Sequence, residues 1–278
     1  MFVKTGLLSI LVILFAAIFP ETFGTKNIVY KNFHGKYTIA DAKANADAET
    51  IYLENCTYIS YPQALFSYMP KVRKVVVKNL RLLQPMDPNK YSSGRNLEEI
   101  FFSNNDINDY PLRYFRNTTF KKITIHGQPQ IKVITTDFAN ETQRLKYFEC
   151  SECKIDTIEE GAFNNLNKLE VLDLHKNSIT GLTDETFSPL KSLKRLNLAE
   201  NKISKFSTNE IKQCTKLESV DLSDNPLKEL NLLDAHEILP NLKTVSLIRT
   251  QIPEAMIEEH RQKTKIRFLT IEDNKIKA

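Results

Sequence analysis

The 278-residue chain has no tryptophan and only seven glycines, so it contains little of the glycine-rich backbone that forms phosphate-binding loops. It also has no Gly-x-Ser-x-Gly, P-loop or HExxH motif. Its formal net charge is only +4, which favours neither a nucleic-acid partner nor a membrane surface. These absences predict a protein that is not an enzyme, uses no cofactor and binds no nucleic acid.

Long apolar runs are missing after residue 24. The only such run, Leu7–Phe19, follows Lys4 and precedes Pro20 and Gly24. A signal peptide and a membrane anchor are the alternatives, and about 13 apolar residues fall short of the roughly 20 that span a bilayer. We therefore expect a signal peptide over residues 1–24, no membrane anchor and a secreted, extracellular protein.

Sequons for N-glycosylation fit that compartment. The pattern Asn-x-Ser/Thr occurs at Asn55, Asn117 and Asn140. Each match is weak alone because the pattern is short, but behind a signal peptide all three become candidate glycosylation sites on the protein surface.

A repeat of about 24 residues runs through the chain. Residues 169–179, 193–203 and 217–227 share apolar side chains at positions 1, 4, 6 and 11 and asparagine at position 9. Matches this even indicate a solenoid. The ten residues at position 1, spaced by 23 to 25 residues, are Ala48, Val72, Leu97, Phe120, Leu145, Leu169, Leu193, Leu217, Leu242 and Ile266.

Each repeat predicts one short strand with a buried and an exposed face, because positions 4 and 6 alternate with positions 3, 5 and 7. One repeat cannot bury its inner face alone, so stacked repeats form the core. The asparagine at position 9 can satisfy backbone groups of neighbouring turns. Position 9 holds Asn105, Asn177, Asn201, Asn225 and Asn274, and the back of the core is expected to hold Phe66, Phe163, Phe187 and Ile211.

Residues 163–174 and 187–198 resemble the extracellular leucine-rich repeats of animal receptors and secreted proteins. Residues 51–56 and 61–72 are similar to the secreted leucine-rich immune proteins of mosquitoes, in a short form without the coiled-coil tail. The resemblance implies an α/β solenoid, a leucine-rich-repeat horseshoe whose parallel sheet lines the concave face. The cysteine cluster of the longer members is missing, so their assembly is not implied.

The repeats span residues 48–252, and both ends are expected to be capped. Two apolar segments within residues 25–47, at 28–30 and 37–39, predict an N-terminal capping hairpin. Residues 253–278 predict a C-terminal capping repeat, in which an amphipathic helix opening at Pro253 precedes a strand over 266–271.

The four cysteines fit the repeat as core residues. Cys56 and Cys153 occupy position 9, Cys150 occupies buried position 6, and Cys214 replaces a leucine. Cys56 lies roughly 19 Å from Cys153 at about 4.8 Å per strand, beyond disulfide reach. The sequence leaves open whether Cys150 and Cys153 pair. It contains no Cys/His spacing typical of zinc, and no metal site is predicted.

The concave face from the fourth to the eighth repeat carries the candidate ligand-binding residues. An aromatic side chain surrounded by both charge signs suits protein recognition, with a merely solvated face as the alternative. Three further aromatic residues, Tyr52, Phe101 and Phe268, are expected on exposed strand faces. The candidate set is Lys122, His126, Tyr147, Glu149, Val171, Asp173, His175, Arg195 and Asp221.

We therefore expect a secreted, non-catalytic recognition protein. Its ligand is expected to be a protein or a surface polysaccharide, bound on the concave face in innate immunity or extracellular signalling. An extracellular-matrix or developmental adhesion protein of the same fold is the alternative, and the sequence fixes no oligomeric state.

Overall fold

The computed structural model describes residues 27–32, 34–35, 43, 46–58, 68–82, 96–106, 119–140 and 142–271. The chain forms two compact units, residues 1–118 and 119–278, which we describe separately. Several sequence predictions lie outside the described residues: the signal peptide, residues 37–39, Phe66, Asn117 and Asn274.

The first unit consists of parallel strands. The longer ones lie side by side in the order β1-β3-β5-β7, and the two-residue strands form a second strip in the order β2-β4-β6. Their bounds are β1 (Asn27–Lys31), β2 (His34–Gly35), β3 (Thr50–Glu54), β4 (Thr57–Tyr58), β5 (Lys74–Lys78), β6 (Arg81–Leu82) and β7 (Glu99–Ser103).

The second unit repeats this plan with shorter strands and a few helices. Its strands are β8 (Lys122–His126), β9 (Val133–Ile134), β10 (Tyr147–Ser151), β11 (Thr157–Ile158), β12 (Val171–Asp173), β13 (Arg195–Asn197), β14 (Lys205–Ser207), β15 (Ser219–Asp221), β16 (Glu229–Asn231), β17 (Thr244–Ser246) and β18 (Arg267–Leu269). Its helices are α1 (Asp137–Asn140), α2 (Thr208–Ile211), α3 (Ala235–Ile238) and α4 (Glu254–Lys263). Seven strands form a parallel sheet in the order β8-β10-β12-β13-β15-β17-β18.

The predicted strand periodicity is confirmed. Nine of the ten strands that follow a predicted position 1 begin two residues after it. Positions 4 and 6 point into the core, where neighbouring repeats stack residue on residue, as Leu172 does on Leu196 and Leu196 on Val220. On the opposite side of this core, the rings of Phe163 and Phe187 stack with centroids 6.2 Å apart. Eight predicted core residues in the described part of the chain are buried: Leu172, Leu174, Leu196, Leu198, Leu222, Phe163, Phe187 and Ile211.

The asparagine at position 9 links successive turns, as predicted. The Nδ2 of Asn201 donates to Leu174 O at 2.9 Å in the preceding repeat and to Leu198 O at 3.0 Å in its own. Its Oδ1 accepts the N–H of Ile179 at 3.1 Å. Asn225 makes the equivalent bonds one repeat later. These amides satisfy backbone groups that the inward turn would otherwise bury unpaired.

Position 8 has a left-handed backbone in the nine repeats where the structure describes it, and so does Asn32, the equivalent residue after β1. The φ of these residues lies between 51° and 61°. This conformation turns the chain inward while the N–H still bonds to the next repeat, as Lys176 N does to Ala199 O at 2.9 Å. Glycine and asparagine adopt it most readily. The residues at this position are Asn32, Asn55, Asn79, Asn104, Gly127, Glu152, Lys176, Glu200, Asp224 and Arg249.

The last repeat is shifted by one residue from its predicted register. Phe268 pairs with Val245, which occupies position 4, so Phe268 points into the core and not to solvent. The prediction that Phe268 is exposed is therefore wrong, because a one-residue slip exchanges the two faces of a strand. The ring of Phe268 packs against that of His260 in α4, with centroids 5.7 Å apart.

The two ends differ in how they meet the repeats. At the N-terminal end, β1 pairs in parallel with β3 and so adds a strand to the repeat sheet. At the other end, α4 forms where the amphipathic helix was predicted. His260 links α4 to the repeats, because its Nδ1 bonds to Met256 O in α4 at 2.7 Å and its Nε2 accepts the N–H of Leu232 at 3.1 Å.

Candidate binding surface

The nine candidate residues lie together on one strand face of the second unit. Because the parallel strands pair in register, equal positions form rows across the sheet. The position 3 row is Lys122, Tyr147, Val171 and Arg195, and the position 5 row includes Glu149, Asp173 and Asp221. His126 and His175 occupy position 7. Lys122 and Arg195 are exposed and the other seven are half-buried. We call these nine residues the strand-face patch.

Tyr147 lies near one end of the patch with its ring held on two sides. The Nζ of Lys122 lies 4.5 Å from the ring centroid, a cation–π contact. The hydroxyl of Tyr147 donates to Glu149 Oε2 at 2.8 Å. Burial and this bond to a carboxylate raise the pKa of Tyr147, so the phenol stays protonated. A ring fixed in this way loses little side-chain entropy when a ligand covers it.

The position 5 row also has a structural role that the sequence did not indicate. Asp173 Oδ1 accepts the N–H of His175 at 3.1 Å, and Asp221 Oδ1 accepts that of Ser223 at 2.9 Å. Both are Asx-type turns, in which a short side chain bonds its own backbone two residues on. Asp173 additionally bonds the ring of His175 at 2.7 Å. These carboxylates therefore stabilise the turns that end the strands, and they also give the surface negative charge.

Two residues that were not among the predicted candidates, Glu152 and Lys176, extend the patch. Glu152 Oε2 lies 3.4 Å from His126 Nε2, and its Oε1 accepts from Lys176 Nζ at 3.0 Å. The bond from Lys176 lowers the pKa of Glu152 and keeps it ionised. Glu152 and Lys176 both occupy position 8, which the alternation of buried and exposed residues does not assign to the patch. The asparagines at 32, 55, 79 and 104 were the available signal that position 8 is a defined turn.

Comparison with known families agrees with this repeat architecture. A leucine rich repeat profile matches residues 167–227, and a profile for a BspA type leucine rich repeat region (6 copies) matches residues 44–143. Together these matches cover more than half of the chain. The chain is a leucine-rich-repeat protein. No curated protein matches this leucine-rich-repeat protein in sequence.

Solved structures share the fold at low sequence identity. A leucine-rich-repeat protein of Leptospira interrogans has a TM-score of 0.62 and 18% identity, with 87% of this chain matching 60% of that one. Toll in the Drosophila Toll–Spätzle complex gives 0.66 and 16%, over 88% of this chain and 34% of that one. TLR13 in complex with ssRNA13 gives 0.50 and 18%, over 82% and 29%. This leucine-rich-repeat protein therefore spans less than two thirds of the Leptospira chain and about a third of the other two.

Two other features are absent from the described residues of the leucine-rich-repeat protein. No helix there is long and apolar enough to cross a membrane. No cluster of three or more His, Cys, Asp or Glu side chains in those residues is arranged to hold a metal ion.

The sequons give a prediction about glycosylation. Asn55 is exposed, and its Oδ1 accepts from Asn79 Nδ2 at 2.8 Å, which leaves the amide nitrogen that carries an N-glycan outside this bond. We expect at least two of Asn55, Asn117 and Asn140 to be glycosylated when the chain passes through the secretory pathway. Glycosidase treatment should increase the gel mobility of that protein, and Asn→Gln changes should remove the glycans one at a time. Unchanged mobility after treatment would refute the prediction.

Proposed function

We propose that this leucine-rich-repeat protein is secreted and non-catalytic, and that it recognises a macromolecule on the strand-face patch. The observation that carries the proposal is the patch itself. Tyr147, braced between Lys122 and Glu149, lies in register with Val171 and Arg195 on adjacent strands. Tyrosine and arginine are the side chains over-represented among energetic hot spots of protein interfaces.

The charges of the patch favour a protein ligand. It carries the cations of Lys122 and Arg195 against the carboxylates of Glu149, Asp173 and Asp221. A polyphosphate backbone needs a surface of predominantly positive charge, and this balance would repel it. Protein surfaces present both signs, so mixed charges fit them with specificity. A surface polysaccharide is the second ligand class that the half-buried tyrosine ring allows.

The similar structures support recognition as the kind of function. Toll is described with Spätzle, a complex named as a hub in Drosophila development and innate immunity, and TLR13 is described with ssRNA13. We place the present protein in innate immunity or extracellular signalling on the basis of its resemblance to secreted leucine-rich immune proteins. Induction of the transcript by infection supports that process, whereas steady expression during development would indicate matrix or developmental adhesion.

Single substitutions test the site. We expect Tyr147→Ala and Arg195→Ala each to weaken binding of a partner captured from extracellular fluid by about 1–3 kcal/mol, because each removes an anchor. Both side chains lie on the strand face and not in the core, so the melting temperature should stay nearly unchanged. Titration of the purified partner by calorimetry measures the affinity.

The control is Lys168→Ala, which removes an exposed cation outside the patch. This variant should bind as the natural protein does. If the Tyr147→Ala/Arg195→Ala double variant also binds with unaltered affinity, the strand-face patch is not the binding site.

A further inference from the structure

Cys150 and Cys153 are two buried thiols in the repeat that carries Tyr147. Cys150 is the fourth residue of β10 and points into the core, whereas Cys153 occupies position 9 of the same repeat. Both are completely buried, and their Sγ atoms lie 2.7 Å apart. This separation is shorter than ordinary non-bonded contact, so nothing lies between the two sulfur atoms.

One asparagine holds both cysteines in this arrangement. The Nδ2 of Asn177 donates to Cys150 O at 2.7 Å, and its Oδ1 accepts the N–H of Cys153 at 3.1 Å. Between them, Glu152 has a left-handed backbone with φ of 55°, which folds the chain back on itself. The turn therefore brings the two side chains together through backbone contacts that do not depend on the thiols.

Cys56 provides a comparison within the chain. It also occupies position 9, and its thiol donates to Glu54 O at 3.3 Å and to Tyr30 O at 3.5 Å. Cys153 makes the equivalent bonds, to Ser151 O at 3.3 Å and to Ile125 O at 3.8 Å. A cysteine at position 9 can thus replace the donor of asparagine without a second thiol. Cys150 is an addition to this pattern, because position 6 of the Cys56 repeat is a leucine.

We propose that Cys150 and Cys153 form a disulfide when the protein folds in an oxidising compartment. The proposal rests on the proposed function only for that compartment. The oxidant is a disulfide, either of glutathione or of a dithiol oxidoreductase. One cysteine thiolate attacks it to give a mixed disulfide and releases one thiol, and the second thiolate then displaces the other. Two electrons and two protons thereby pass from the cysteines to the two product thiols.

The thiol–disulfide exchange takes place during folding and not in the folded protein. Burial raises the pKa of the Cys150 thiol, and a thiol must lose its proton before it attacks. Both thiols are closed to external reagents once the core has formed. The disulfide therefore forms before the repeat is packed and is protected from reductants afterwards.

The consequence is local to the strand-face patch. A disulfide that closes so short a loop removes little chain entropy, so the stability of the whole protein gains little. The loop contains Ser151 and Glu152, which contact His126 at 3.1 Å and 3.4 Å. Closing it fixes these two side chains beside the residues proposed to meet a ligand.

Counting free thiols tests the proposal. The full chain is produced in the secretory pathway with a heterologous leader, so the test does not depend on the natural residues 1–24. Unfolding in urea with N-ethylmaleimide and no reductant should label Cys56 and Cys214 only. The peptide that contains Cys150 and Cys153 should then be two hydrogens lighter than its reduced form. Reduction of the urea-unfolded protein with a phosphine before labelling should expose all four thiols.

Two variants give matched controls. Cys153→Asn installs the residue that other repeats carry at position 9, and it should show three labelled thiols without reductant. Cys56→Asn makes the same change where no second thiol exists, and its Cys150–Cys153 peptide should stay oxidised. Four labelled thiols in the unreduced natural sequence would overturn the disulfide while leaving the ligand-binding proposal untouched.

Discussion

Leu196→Ala should lower the free energy of unfolding by about 2–5 kcal/mol, the range for a buried leucine that leaves a cavity. Leu196 is only 2% exposed and lies between Leu172 and Val220 of the adjacent strands. Each repeat buries its inner face only against its neighbours, so the cavity weakens two interfaces at once. Urea unfolding followed by circular dichroism measures the change.

Ile238→Ala is the matched control, because it also shortens an aliphatic side chain but at a residue that is 37% exposed. We expect it to alter stability by no more than about 0.5 kcal/mol. Equal effects of the two substitutions would show that Leu196 does not lie in the core and that the repeat register is wrong.

Asn201→Ala should destabilise the protein by about 1–3 kcal/mol, although no charge or large apolar surface is lost. The substitution leaves the buried N–H of Ile179 without its acceptor. It also removes one of the two amide donors to the carbonyl of Leu174, which keeps its bond from Asn177 at 3.0 Å. Each buried polar group left unsatisfied costs about 1–3 kcal/mol. Thermal and urea unfolding of the same preparations measure the loss.

Asn201→Cys separates the two functions of the amide. A thiol at position 9 can donate to the backbone carbonyls, as Cys56 does, but it is a poor acceptor for the N–H of Ile179. We expect this variant to retain part of the stability that Asn201→Ala loses. The control is Asn209→Ala, which removes an amide at an exposed position and should change the free energy of unfolding little. If Asn201→Cys is no more stable than Asn201→Ala, the donor role of position 9 is refuted.

Much of the fold could be predicted because every repeat must satisfy the same physical constraint, the alternation of buried and exposed residues along its strand. Leucines at positions 4 and 6 must alternate with exposed residues, and a template fitted to three repeats therefore located the strands of the others. Asn201 was predicted for a similar reason, since an inward turn leaves backbone groups that need an amide. Both inferences depend on local periodicity alone.

The last repeat shows where that reasoning fails. Two registers are possible for this strand, one with Ile266 at position 1 and one with Lys265 there. The structure adopts the second, in which Phe268 occupies position 4 and Ile266 is still buried. The apolar pattern favoured the other register because it placed Ile266 at position 1. What decides between them is the packing of Phe268 on His260 from α4, a contact that the repeat template does not contain.

The candidate surface was predictable in its membership but not in its internal contacts. Alternation placed Tyr147, Glu149 and Asp173 on one face, and strand register then brought them together. The bond from the His175 backbone to Asp173 depends on the turn that directly follows the strand, and the pairing of Glu152 with Lys176 joins two residues whose backbones are left-handed. Charged residues there hide a conformation that asparagine or glycine would have indicated.

A glycan placed inside the strand-face patch tests directly whether the ligand binds there. Ala199→Thr converts Asn197, which lies in the position 5 row between Asp173 and Asp221, into a sequon, and Ala199→Val is nearly isosteric but adds none. Each protein is produced in the secretory pathway, checked for the added glycan by mass and used to capture its partner from extracellular fluid. We expect the valine variant to capture the partner as the natural protein does. The glycosylated threonine variant should capture at least about tenfold less, a loss of about 1.4 kcal/mol. Equal capture by a folded, glycosylated threonine variant would contradict this expectation.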